Sequence, residues 1–336
     1  EKNLLPKGHE IAWEQFLLHS PKPELQKSSD QKILITEDEK IIVVSNQAVK
    51  AVFDKSTGIM KELNYGNENI LHEAQGFSPN FWRAPTDNDF GNGFQDRCQV
   101  WRYATKNRHL KSINSEMKGN EAEITVVYDL KDTNQKSIAT YQIIYTLSGD
   151  GTLTVKNEYD KLLNDLPETP RIGLSFQIDK TYEQMTWYGK GPYESYWDRK
   201  TGAKVGIYKG SVSDQYWAYL RPQENGNKSD VRWVSFLNSD GKGIQITGLP
   251  TVDVSAHHQI MEDFESIERN YVHGRDDDSI KNRHTIDVPV RDLISINIDY
   301  RQMGVGRDNS WGARTHPEYL LKDKKYTFTF IIKPIK

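Results

Sequence analysis

From residue 32 onward the chain is written in short runs whose apolar and polar positions alternate. A period of two is the signature of strands with one buried face. Runs at 33–35, 41–45 and 49–53 are rich in β-branched residues. Longer runs follow at 123–130, 138–147 and 152–159, with Gly, Asp or Asn between them. Ser148-Gly-Asp-Gly151 marks a turn between two of them. The pattern continues at 171–178, 184–188, 231–237, 243–247, 294–300 and 326–332. No long segment shows a clean 3.6-residue period. The expected fold is all-β, a large antiparallel two-sheet β-sandwich.

Three stretches interrupt the strands, at 78–103, 187–230 and 301–318, and read as long loops rich in Trp, Tyr, Asn, Asp and Gly. Loops longer than about 15 residues in a compact domain are more often functional than idle. At the other end, residues 8–18 alternate at Ile11, Trp13, Gln15 and Leu17 and read as one further strand. A polar run opened by Ser20-Pro-Lys-Pro follows and reads as a linker over 20–31. A lone strand has nothing to bury its face against, so residues 1–19 are expected to belong to a neighbouring domain. The chain opens on Glu1 with no apolar signal core in residues 1–10, as an excerpt or a processed chain does.

Composition narrows the function. Lys and Arg number 44 against 47 Asp and Glu, a net charge of −3, so no cationic excess exists to neutralise a phosphate backbone. The longest apolar runs, 41–44 and 328–332, fall far short of the roughly 20 residues of a spanning helix. A single cysteine, Cys98, rules out a disulfide scaffold. Aromatic residues reach 11%, which suits strands and also suits sugar sites, where a ring face stacks on C–H bonds.

The loops hold the candidate chemistry. Asp87, Asn88 and Asp89 could begin a calcium loop, but the Gly and Glu positions of an EF-hand are missing. The preferred reading is an Asx-turn network with Arg83 paired to a carboxylate. Glu194, Asp198 and Glu224 are the acids a glycosidase-type carboxylate pair would draw on. The competing reading is a hydrogen-bonded loop platform, because buried carboxylates find an Arg or backbone partners. His257 and His258 are adjacent on a strand, so they face opposite ways and cannot chelate one metal together. Asp276 to Asp278, beside Arg275, reads as a solvated acidic turn. Trp311 lies among small and polar residues, where a large ring is exposed and suited to binding.

Four phrases occur in order: Phe81-Trp-Arg-Ala-Pro-Thr-Asp-Asn-Asp-Phe-Gly91, Trp187-Tyr-Gly-Lys-Gly-Pro-Tyr-Glu-Ser-Tyr-Trp-Asp-Arg199, Pro222-Gln-Glu-Asn-Gly226 and Gly304-Val-Gly-Arg-Asp-Asn-Ser-Trp311. Together they resemble the C-terminal domain of family 2 glycoside hydrolases of the large bacterial β-galactosidase type, over residues 32–336. Residues 8–18 resemble the last strand of the immunoglobulin-like domain that precedes it there. The resemblance implies a supersandwich of the galactose-mutarotase-like class, packed beside a (β/α)₈ barrel absent from this chain. That barrel would hold the two catalytic glutamates of a retaining mechanism and the Mg²⁺ and Na⁺ sites, leaving this chain with no cofactor, metal or catalytic residue of its own. Two features carry over. Trp311 matches a tryptophan that stacks on the sugar, and Gly91, Asn92, Gly93, Phe94, Gln95, Asp96 and Arg97 match a mobile loop that closes over the pocket. The stretch after Gly91 departs from the family pattern, and region 262–293 is longer than in the best-known member.

The expected partners are the remaining domains of the same chain, a β-galactoside and further copies of the full-length protein, with no nucleic acid and no membrane. Two alternatives stand beside this reading. One is a free-standing aldose mutarotase using His257 or His258 with Glu224. The other is a carbohydrate-binding module that holds sugar by aromatic stacking without turnover.

Overall fold

The alternating runs form strands, and the strands assemble into two antiparallel sheets. The computed structural model describes residues 4–18, 29–265, 284–309 and 311–336. The smaller sheet is a meander in chain order: β1 (Leu34–Glu37), β2 (Ile41–Ser45), β3 (Val49–Asp54), β4 (Met60–Tyr65) and β5 (Glu68–Asn69). The larger begins with β6 (Ser78–Asn80), then β7 (Arg108–Lys118), β8 (Glu121–Lys131), β9 (Ser137–Leu147) and β10 (Leu153–Lys161). It continues with β11 (Arg171–Asp179), β12 (Gln184–Gly191), β13 (Lys204–Ser211) and β14 (Lys228–Leu237). Its last members are β15 (Gly243–His257), β16 (Leu293–Gln302) and β17 (Lys325–Ile335). Three short helices, α1 (Asp87–Gly91), α2 (Phe94–Arg97) and α3 (Gln99–Lys106), lie between β6 and β7.

The order across the large sheet is β13-β12-β14-β15-β17-β10-β9-β8-β7. The sheet divides at β15. Its first half pairs with β17, from Gly243 opposite Ile335 to Leu249 opposite Thr329. Its second half pairs with β16, from Asp253 opposite Asp299 to His257 opposite Ser295. Strand β16 then pairs with β11, which β6 borders. This division brings the ends of β6, β11, β15 and β16 together, and the candidate site is built around those ends.

The strict alternation dictates which faces meet. In β8, Ala122, Ile124, Val126, Tyr128 and Leu130 are buried, while the residues between them are half-exposed. β9 and β10 repeat the pattern. Phe53 of the small sheet meets Tyr145 of β9 with ring centroids 5.2 Å apart. Phe77 lies against Tyr145, Phe176 and Phe330 at 6.1, 4.5 and 6.3 Å, joining three strands of the large sheet to the same aromatic cluster. One continuous set of buried apolar residues therefore spans both sheets.

The structure differs from the sequence reading in several places. Residues 4–18 contain no strand. Strand pairing needs a complete edge, and this segment meets the edge of β13 only through side chains. Gln15 exchanges two hydrogen bonds with the Val205 backbone at 2.9 and 2.6 Å, and Lys204 pairs with Glu10 at 2.6 Å. Ile11, Phe16 and Leu17 stay exposed. The expected loop 78–103 holds β6, α1, α2 and most of α3, and the expected loop 187–230 holds β13. These helices are too short to display a period: α3, the longest, buries only Trp101 and Ala104. Strand β7 leaves no alternating pattern in the sequence because Arg108–Lys118 is an edge strand with no buried residue. Most of the expected 20–31 linker, the Asp276–Asp278 turn and residues 266–283 of the 262–293 region lie outside the described residues. No described helix is long and apolar enough to cross a membrane.

Phe77→Ala removes the ring shared by Tyr145, Phe176 and Phe330. A buried Phe→Ala change costs about 3–5 kcal/mol. Urea denaturation should show that loss with an unchanged m-value, whereas a loss under about 1 kcal/mol would mean that Phe77 does not tie the core together.

Candidate functional site

The four phrases, far apart in sequence, meet in space. Gln223 joins the third to the first, accepting a hydrogen bond from the Asp87 backbone and donating to the Asp87 carboxylate, both at 3.1 Å. Glu224 N donates to Ala84 O at 3.3 Å. Glu194 joins the second to the third, since its Oε2 accepts from Gly226 N at 2.8 Å while Oε1 takes Arg199 and the Tyr219 hydroxyl. Asp198 joins the second to the fourth, accepting from the backbone N–H groups of Val305 and Gly306 at 3.0 and 2.6 Å. A Cβ at position 304 would lie 2.5 Å from the Asp198 carboxylate, which is why glycine stands there.

Asp89 joins the first phrase to the fourth. Thr86 caps α1 by accepting from Asp89 N at 3.2 Å, and Asp89 Oδ2 accepts from Thr86 N at 3.0 Å, a reciprocal capping box. The same carboxylate accepts from Arg83 Nη2 at 3.1 Å and from Arg307 Nη2 at 2.9 Å. All three side chains are fully buried. The terminal guanidinium nitrogens also donate to backbone carbonyls: Arg83 Nη1 to Met303 and Nη2 to Gly304 at 2.6 and 3.1 Å, Arg307 Nη1 to Ala313 at 2.9 Å, while the two Nε–H groups find no partner among the described residues. The Asx-type network with Arg83 on a carboxylate is present, and both oxygens of Asp89 are occupied by these donors. Among the described residues no group of three or more His, Cys, Asp or Glu side chains is placed to hold a metal ion.

Trp311 stands on this framework with 93% of its surface exposed. Its backbone N–H donates to Asn309 Oδ1 at 2.9 Å. Gly312 adopts a positive φ of 111°, and a Cβ there would lie 3.0 Å from Gly91 O, so the Trp311 loop presses on the end of α1. The stretch from Gly91 to Arg97 is not one open loop. Gly91 ends α1, Asn92 caps it, Gly93 is left-handed at φ 69°, and Phe94 to Arg97 form α2. Phe94 is buried and stacks on Trp82 at 4.8 Å. Arg97 pairs with Glu168 and donates to Asn92 Oδ1 at 3.2 Å. Gln95 is half-buried and Asp96 is exposed.

His257 and His258 do point to opposite sides. His258 bonds Leu293 O at 2.7 Å and Glu183 at 2.6 Å. His257 is buried, with Nε2 3.0 Å from Asn225 O, and burial lowers its pKa to about 4. It lines a narrow polar recess with Arg171, Glu224, Ser255 and Asn297, closed on one side by Phe264. Glu224 is committed there, to Arg171 at 3.1 Å and to Gln302 at 2.9 Å. Arg171 also meets Asp299 at 3.1 Å, so one cation faces two buried acids. Burial, with Glu224 and Asp253 nearby, raises the Asp299 pKa to about 8 against the pull of Arg171. Glu194, Asp198 and Glu224 are thus spent on holding loops. The platform reading of these acids fits the structure, and the carboxylate-pair reading does not.

Fold and site together define a galactose-mutarotase-like β-sandwich whose loop surface presents the Trp311 indole on a tightly bonded base. The galactose 1-epimerase of Lactobacillus acidophilus has the same fold: TM-score 0.51 over 91% of this chain and 99% of that one, at 9% identity. Residues 45–332 match the family described as the β-galactosidase small chain, and the chain belongs to that family. It is 38% identical to a β-galactosidase of Priestia megaterium over 98% of its own length and 30% of that protein's. A β-galactosidase of Halalkalibacterium halodurans is 30% identical over 98% and 31%. The chain therefore spans about 30% of the length of the curated relatives it matches.

Sequence reasoning missed Arg307, Arg171, Asp299 and Gln223. Their polar types inside strand ends and loops carry no period, and only the meeting of distant segments gives them a task. Asp299 supplies a pH test. Its folded pKa, about 8, lies above the roughly 3.9 of an unfolded Asp, so the folded chain holds the extra proton and stability falls as pH rises from about 4 through 8. Urea midpoints of wild type should drop across that window relative to Asp299→Asn. Parallel curves for the two proteins would show that Asp299 ionises normally.

Proposed function

We propose that this chain is the C-terminal part of a retaining β-galactosidase and completes an active site whose catalytic glutamates lie in a (β/α)₈ barrel elsewhere in the full-length protein. The observation that carries the reading is Trp311: a large apolar ring, almost fully exposed, on a loop whose base is held by buried ion pairs. An indole presented that way loses little conformational entropy when it meets a flat apolar surface, and the C–H face of a galactosyl unit is such a surface. The family and the names of the relatives support galactosides as the substrate class.

In this reading residues 32–336 are the sandwich domain, 20–31 a linker and 1–19 the segment that forms the last strand of a preceding immunoglobulin-like domain once that domain's sheet supplies the partner edge. The exposed Ile11, Phe16 and Leu17 support that last assignment, since a neighbouring sheet would cover them. The stretch Gly91–Arg97 acts as a gate hinged at Gly91 and Gly93, with Phe94 as its anchor. Mg²⁺ and Na⁺ belong to the barrel, and the full-length protein is a homo-oligomer. The free-standing mutarotase reading has less support, because Glu224 is held by Arg171 and Gln302 and His257 is buried with its Nε2 on Asn225 O.

Hydrolysis of a chromogenic β-galactoside tests the proposal. The 336-residue chain alone should not turn over. In the full-length enzyme, Trp311→Ala should weaken substrate binding by about 1–3 kcal/mol, roughly 5- to 150-fold in KM, as for a lost aromatic contact. Turnover by the chain alone would place a complete site within these residues and overturn the reading.

A further inference from the structure

We propose that Asp89 and Arg307 are positioning residues that make the Trp311 loop and the Gly91–Arg97 stretch a single coupled unit; the functional half of this inference rests on the role given to Trp311 above. The Asp89 carboxylate has two tasks at once. Within its own segment it closes the capping box that starts α1, a five-residue helix whose last member is Gly91. Across the site it accepts from Arg307, whose other terminal nitrogen grips Ala313 O, two residues past Trp311. Arg307 thus bridges the loop that carries Trp311 from its start to its end and ties it to Asp89. Two further contacts run the same way: Gly312 packs on Gly91 O, and Asn92 Nδ2 donates to Ala313 O at 3.4 Å.

The charge balance makes the joint tight. Arg83 and Arg307 are both buried and share this one carboxylate, so neither guanidinium has another ionised partner among the hydrogen bonds it makes. Removing the carboxylate leaves two buried cations facing each other, which is far more disruptive than losing a surface pair. Removing Arg307 is milder: Arg83 keeps Asp89 and the capping box stays closed, but the Trp311 loop loses its ionic crosslink to α1 and keeps only the weaker contacts of Asn92 and Gly312. Asp198 holds the same loop from the other side, at Val305 and Gly306, with no contact to α1. The coupling therefore runs through Asp89 and not through Asp198.

Hydrogen exchange of the 336-residue chain, read by mass spectrometry on peptides covering 88–97 and 304–314, separates these roles. Asp89→Asn should speed exchange in both peptides together, by about tenfold or more. Asp198→Asn should speed it only in 304–314, and Arg307→Gln should do the same with the 88–97 peptide unchanged. If Asp89→Asn does not fold, Arg307→Gln and Asp198→Asn still test the joint. An Arg307→Gln chain with normal exchange in 304–314, or an Asp89→Asn chain that loosens only one peptide, overturns the proposal. In the full-length enzyme, Arg307→Gln should raise KM for a β-galactoside severalfold with a smaller change in kcat. The double variant with Trp311→Ala should bind no worse than Trp311→Ala alone, because Arg307 acts through that ring. Additive losses in KM would overturn the positioning role. Altered exchange together with a Trp311→Ala enzyme of normal KM would leave the joint standing and remove the sugar contact.

Discussion

A single buried carboxylate, Asp89, between the guanidinium groups of Arg83 and Arg307 is the interaction on which the candidate site depends. It brings three kinds of order together. It caps a helix, it crosslinks two loops more than two hundred residues apart in sequence, and it gives one shared anionic partner to two cations that have no access to water. Desolvating such groups is costly, and the carbonyls of Met303, Gly304 and Ala313 take terminal N–H donors beside those on the carboxylate, while the Nε–H groups of Arg83 and Arg307 find no partner among the described residues. The result is a loop that can expose Trp311 without being loose.

The sandwich gives that network its fixed frame. β15 changes partners halfway along, from β17 to β16, and so brings the ends of β11 and β16 to the same place as the segment after β6. Arg171, at the start of β11, and Asp299, on β16, then face Glu224 from the loop before β14. The buried aromatic set around Phe77 and Tyr145 anchors these strands from below. Apolar packing supplies the cohesion, and the ionic network decides where the loops lie. The acids that looked like catalytic candidates, Glu194, Asp198 and Glu224, serve that second purpose.

Much of the fold was legible in the residues alone. β8 and β10 alternate without a break, and β9 does so from Ala139 onward, because one face of each is core and the other is partly open, and periodicity reports that directly. The exposure of Trp311 was legible too, since no apolar neighbours surround it in sequence. Edge strand β7 was not, because a strand with no buried residue leaves no apolar pattern. The helices α1 to α3 were not, because four to eight residues are too few to show a period. The segment at 8–18 has the alternation of a strand and forms none, since alternation states which face seeks burial and cannot supply the partner edge.

By itself the sequence determined the class of fold, the placement of the main strands and the four phrases that mark the family, because these follow from local pattern and residue type. Only the tertiary structure decided that the four phrases meet, that Asp89 serves two loops at once, that His257 is buried against Phe264, and that Glu224 is tied to Arg171. Those are contacts between residues distant along the chain. Spacing carries no record of them, and they arise only when the strands that carry them are brought into register.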